Sequence, residues 1–148
     1  MKTLFCLCLF FCTFRVAGQT AKPPHQATVV VVQTPDSAAV ALRKLATIFV
    51  AQGYTVERLD NTFFTLTLAP KLVKNIYQPM LSVKAVASAG GSSTVRVSGV
   101  WQALVLGAPL TKAASYEGSA SGTNRSTFAE LQQAANAYPA GVVSYSKQ

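Results

Sequence analysis

The chain has 148 residues, half of them hydrophobic, with a formal net charge of +8 from thirteen basic and five acidic side chains. That length suits one domain whose core needs neither disulfides nor metal to hold it. One histidine, and three cysteines confined to residues 6–12, leave no ligand set for an ordinary zinc site and no thiol nucleophile in the rest of the chain.

Met1-Lys2, the apolar run over 4–14 and the break at Arg15 have the layout of a secretory signal peptide. The run is too short to cross roughly 30 Å of hydrocarbon as a helix. Valine at −3 and glycine at −1 place the cut between Gly18 and Gln19, with a cut after Ala21 as second choice and an uncleaved buried helix as the alternative. Cys6, Cys8 and Cys12 leave with the leader. Lipidation at Cys12 is not expected, because Phe10-Phe11 is bulky where a lipobox needs small residues. Loss of Lys2 and Arg15 lowers the charge from +8 to +6, which favours anionic partners in general. The expected location is therefore periplasmic or extracellular, with outer-membrane association an option. No later apolar run approaches 18 residues, so no membrane span is expected in the mature form.

Residues 19–26, with Pro23-Pro24, read as a flexible stalk. Val29-Val30-Val31-Val32 reads as a strand buried on both faces. Thr34-Pro35-Asp36 then offers an N-cap, a first-turn proline and an acid for the positive end of a helix over 35–52. Ala38, Ala41, Leu42, Leu45, Ile48 and Phe49 form its core face, and Gly53 supplies a left-handed cap. Strands follow over 54–59 and 62–68, joined at Asp60-Asn61, with Phe64, Leu66 and Leu68 on one face and Phe63, Thr65 and Thr67 on the other. Residues 69–79 read as a loop. A hairpin over 78–88 and 92–103 turns at Ala89-Gly90-Gly91. Its apolar sets, Leu81, Val83, Ala85, Ala87 and Val95, Val97, Gly99, Trp101, share a face only if the loop has an odd number of residues. A three-residue loop sets Lys84 opposite Arg96. Residues 104–125 read as a long irregular segment. A capping box at Thr127 and Glu130 starts a helix to about 137, with Phe128, Leu131, Ala135 and Tyr138 inward, and 139–148 reads as a loose tail.

The order strand, helix, four strands, helix implies an α+β domain over 27–138: one antiparallel sheet with two helices packed on one face.

Chemistry is sparse. His25 lies in the stalk beside no acid or serine cluster, and the five carboxylates have helix-start or turn roles except Glu57 and Glu117, which only the fold could bring together. No catalytic residue, metal ligand or cofactor is therefore assigned. Lys84 and Arg96 form the sharpest candidate site: two like charges opposed in a hairpin destabilise it slightly, and an anion relieves this. Lys71 and Lys74 in the preceding loop are expected to join them. Trp101 falls on the apolar face and is expected in the core.

The valine run before Thr34-Pro35-Asp36, the segment Ala51-Gln52-Gly53-Tyr54 and the strand Val95-Arg96-Val97-Ser98-Gly99-Val100-Trp101 carry a resemblance. In this order they resemble the TBP-like fold of small exported bacterial envelope domains of unknown function, over residues 27–138. The resemblance implies no activity, and nucleic-acid binding does not follow from a fold name. The expected function is a non-enzymatic envelope module binding an anionic glycan or lipid headgroup. The alternative is a lipid- or carbohydrate-handling protein with a pocket between sheet and helices, lined by Phe64, Leu66 and Trp101. A hydrolase stands third.

Overall fold

A computed structural model describes residues 22–119 and 122–148. The leader, with its cysteines and the expected cut between Gly18 and Gln19, lies outside the described residues. The elements are β1 (Val29–Thr34), α1 (Ala38–Ala51), β2 (Val56–Asp60), β3 (Thr65–Leu72), β4 (Met80–Ala87), β5 (Ser93–Val105), β6 (Ala108–Ala113), α2 (Thr123–Asn136) and β7 (Val142–Ser146). The strands form one antiparallel sheet in the order β2-β3-β4-β5-β1-β7. Long β5 pairs β4 along one edge, and β1 then β6 along the other. Both helices cover the same face, so the α+β class and the single antiparallel sheet are as expected. Among the described residues no helix is long and apolar enough to cross a membrane.

Alternation decides which face is which. Leu66, Leu68, Leu81, Val83, Ala85, Val95, Val97 and Trp101 point under the helices, where Leu42, Leu45, Phe49, Phe128 and Leu131 meet them. In β1, Val30 and Val32 join this core. Val29 and Val31 face the other way yet are also buried, flanked by Ser98 and Ser146 and by Arg96 and Ser144.

Several local expectations are corrected. Helix α1 begins at Ala38, not at Pro35, because Thr34 stays in the ladder opposite Ser93 and its hydroxyl accepts the Asp36 N–H at 3.2 Å. The other end is as expected: Gly53 has φ +84°, its N–H donates to the Val50 carbonyl, and the Tyr54 N–H donates to that of Phe49. The Tyr54 ring then packs edge-on to Phe49 at 5.3 Å, completing a Schellman cap. No capping box forms at Thr127. Helix α2 starts one turn earlier, and the Thr127 hydroxyl donates back to the Thr123 carbonyl at 2.8 Å. Residues 104–125 are not irregular throughout: β5 runs on to Val105 and returns as β6. Pro109 reads as a strand breaker, but on an edge strand it costs no ladder bond. The tail is not loose, because 142–146 pairs with β1 as β7. In the segment read as a stalk, Pro23 is buried and the Gln26 N–H donates to the Tyr116 carbonyl.

Asp36 fastens the β1–α1 turn to the middle of α1 and to the segment that follows α2. Lys44 Nζ lies 2.7 Å from its carboxylate, and the Tyr138 hydroxyl donates to it at 2.6 Å. These donors hold the carboxyl below its usual 3.8. Its contribution to stability is therefore present above that value and disappears as pH falls through the folded one. Asp36→Asn is expected to flatten the acid limb of a Tm-versus-pH curve; superimposable acid limbs in the two proteins would show that the carboxylate plays no part.

Candidate functional site

The face away from the helices is read row by row from the strand pairing. One row runs Arg58, Thr67, Lys84, Ser98, Val29, Ser146 across β2, β3, β4, β5, β1 and β7. The next runs Asp60, Thr65, Val86, Arg96, Val31, Ser144. Ser82 and Val100 follow on the other side of the first row. No carboxylate occurs in β3, β4, β5 or β6. The centre of the face therefore sets Lys84 between the hydroxyls of Thr67 and Ser98, donors suited to an oxyanion, and Arg96 between Val86 and Val31.

Lys84 and Arg96 share this face as expected, but not as an opposed pair. Lys84 faces Ser98, and Arg96 faces Val86. The loop has five residues, with Ser88 paired to Thr94, and an odd number preserves the faces while sliding the pairing by two. The slip has a tertiary cause. Ser93 is held by β1 opposite Thr34, and its hydroxyl donates to the Asp36 carbonyl at 2.9 Å, which keeps it from pairing with β4 and leaves it in the loop. The two cations are diagonal neighbours, which eases their repulsion. One Arg96 guanidinium nitrogen donates to Ser146 at 3.4 Å.

Lys71 does not join them. A bulge between Leu68 and Lys71, at Ala69-Pro70, reverses the alternation and turns Lys71 to the helix side. There it donates to the Gln52 carbonyl at 2.7 Å and to Glu130 at 3.1 Å, and lies 4.3 Å from the Tyr54 ring centre. It closes the C-terminal end of α1 and belongs to the structure of the helical layer. Lys74 is exposed in the 73–79 loop, at the end of the sheet away from Arg96. Arg58, which the sequence reading did not single out, does stand on the outer face, where it donates to Asp60 at 2.8 Å. Its placement follows a register shift between Val56 and Arg58 that has no local sequence signature.

A groove of about 220 Å³ on this face is lined by Thr67, Ser82, Lys84, Ser98 and Gln148 among others. That is smaller than the roughly 300–1,000 Å³ typical of sites that enclose a small molecule.

Elsewhere, His25 lines a shallow groove with Glu117, Arg125 and Tyr116, so it has an acid nearby after all. Arg125 stacks on the Tyr116 ring at 3.9 Å, and one of its guanidinium nitrogens donates to the Tyr116 hydroxyl at 2.6 Å. Trp101 is buried, and its indole N–H donates to Asn124 at 2.9 Å. Glu57 lies on β2 at one edge of the sheet and Glu117 follows β6 on the far side of β5, so the two do not form a carboxylate pair. Among the described residues no three histidine, aspartate, glutamate or cysteine side chains cluster as metal ligands. No protein-family model matches the chain, and no curated protein sequence matches it either.

Proposed function

We propose that the chain is an exported, non-enzymatic binding module of the cell envelope whose partner presents an anion to the outer face of the sheet. The observation that carries this reading is that face itself: Lys84 and Arg96 among Thr67, Ser82 and Ser98, covered by no helix and carrying no carboxylate on β3, β4, β5 or β6. The secretory layout of residues 1–18 supports an exported location. The run β1, α1, β2 to β5 and then α2 supports the likeness to TBP-like bacterial envelope domains, with β6 inserted before α2 and β7 added after it. Leu66, Trp101 and Phe128 fill the space between sheet and helices, which favours surface binding over an internal lipid or sugar pocket. No cofactor and no nucleic acid enter this reading.

Charge reversal at both cations, Lys84→Glu with Arg96→Glu, is expected to weaken retention on a sulfated glycan or on anionic vesicles at least tenfold at low salt, with the difference shrinking as salt rises. Unchanged retention of the double variant removes the outer face from the proposal. Mass measurement of the secreted chain tests the cut after Gly18.

A further inference from the structure

We propose that the tip of the β5–β6 hairpin is a membrane-docking finger that seats the domain on an anionic lipid bilayer. This rests on the anion-binding reading above and commits its partner to a lipid surface.

The finger stands clear of the fold. Strand β4 ends its pairing with β5 at Met80 and Gln102, so Ala103, Leu104 and Val105 pair only with Leu110, Pro109 and Ala108 of β6. Three residue steps carry the tip about 10 Å past the ladder. The two-residue turn is Leu106-Gly107, with φ of +52° and +81°. Both values are positive, the pattern of a hairpin turn that ordinarily takes asparagine, aspartate or glycine. Leucine enters the left-handed region only at a steric cost. Leu106 gains no packing in return, because it is fully exposed. Folding alone accounts for neither its identity nor its position.

The apolar surface continues from the tip. Leu104 is 71% exposed, and Ile76 in the adjoining 73–79 loop is 85% exposed. Tyr77, Met80, Leu104 and Pro109 line one open groove of about 500 Å³. The bulge at Ala69-Pro70 adds Leu72 to the same side, opposite Met80. A tyrosine at the margin of an apolar patch suits the level of lipid headgroups.

Charge selects the occupant. Residues 103–110 carry no charge, Lys74 stands two residues before Ile76, and Lys112 two residues after Leu110. Farther back lie Lys84 and Arg96, with no carboxylate on β3, β4, β5 or β6. An apolar tip backed by cations matches an anionic bilayer interface. A symmetric pair of copies joined through this end instead brings like charges together.

The test uses the chain purified after secretion and vesicles of phosphatidylcholine with or without one third phosphatidylglycerol. The double variant Leu104→Ser with Leu106→Asn is expected to bind the anionic vesicles at least tenfold more weakly, since each leucine withdrawn from the interface loses about that factor. Asparagine suits the left-handed turn, so Leu106→Asn alone is expected to keep or raise the Tm while still weakening binding. An environment-sensitive dye on Leu104→Cys, the sole cysteine beyond residue 12, is expected to shift to the blue with anionic vesicles and not with neutral ones. Undiminished vesicle binding by the double leucine variant overturns the finger. If Lys84→Glu with Arg96→Glu then abolishes binding, the sheet face survives without it. A dye shift that appears with protein concentration alone, without lipid, also overturns it and makes the tip a self-association surface.

Discussion

Truncation of Phe128 to alanine is expected to cost about 3–5 kcal/mol, the range for deleting a fully buried aromatic ring. Phe128 is wholly buried, with the Tyr116 ring at 6.0 Å on one side and that of Tyr145 at 6.2 Å on the other. It joins three elements that have few other anchors: α2, the segment after β6, and edge strand β7. Only Thr127, Leu131, Ala134 and Ala135 accompany it as buried residues of α2, so little apolar surface remains to dock the helix once the ring is gone. Set against a total stability of about 5–15 kcal/mol, the loss lowers Tm by roughly 10 °C or more. Phe63, 73% exposed in the β2–β3 turn, is the matched control, and Phe63→Ala is expected to stay within about 0.5 kcal/mol of the parent. Equal denaturant midpoints for the two variants would show that α2 does not pack as described.

A steep loss of stability is also expected above pH 10. The Tyr54 hydroxyl donates to Glu130 at 3.0 Å, and the Tyr138 hydroxyl donates to Asp36 at 2.6 Å. Burial comes first in raising both phenols, and the neighbouring carboxylates add to it, with Tyr138 pushed up to about 12 and Tyr54 raised further. Because both folded values lie above the ordinary 10.0, the stabilisation is complete below pH 10 and is lost as pH rises through the folded values. Each tyrosine steepens the decline by at most about 1.4 kcal/mol per pH unit. Tyr54→Phe with Tyr138→Phe is expected to be less stable at neutral pH, through the lost hydrogen bonds, yet to decline less between pH 10 and 12. An unchanged alkaline slope in the double variant would assign the decline to other groups, lysines among them.

Much of the helical layer is legible in the chain. Six residues at helical spacing name the inward face of α1, and Gly53 names its end, because both signals are local. The outer face was legible too, in part. An odd hairpin loop is enough to place Lys84 and Arg96 on one side, whatever its length. Their distance from one another was not legible, since it depends on Ser93 being taken by β1 from the far end of the chain. The apolar finger was the least visible feature. Residues 104–125 read as one long irregular segment until the pairing of β5 with β6 shapes a hairpin that carries Leu104 and Leu106 into solvent.

The sequence by itself determined the class of fold, the inward residues and the absence of cysteine beyond residue 12. These depend on period, composition and short spacing, which neighbouring residues carry among themselves. Only the tertiary structure decided how Lys84 and Arg96 are spaced and that Lys71 does not join them. Pro70 lacks an N–H for the ladder, and the bulge there turns Lys71 inward to Glu130 and Leu72 outward to Met80. A one-residue change of phase exchanges the two faces of a strand, and what holds that phase in place is a set of partners more than fifty residues away.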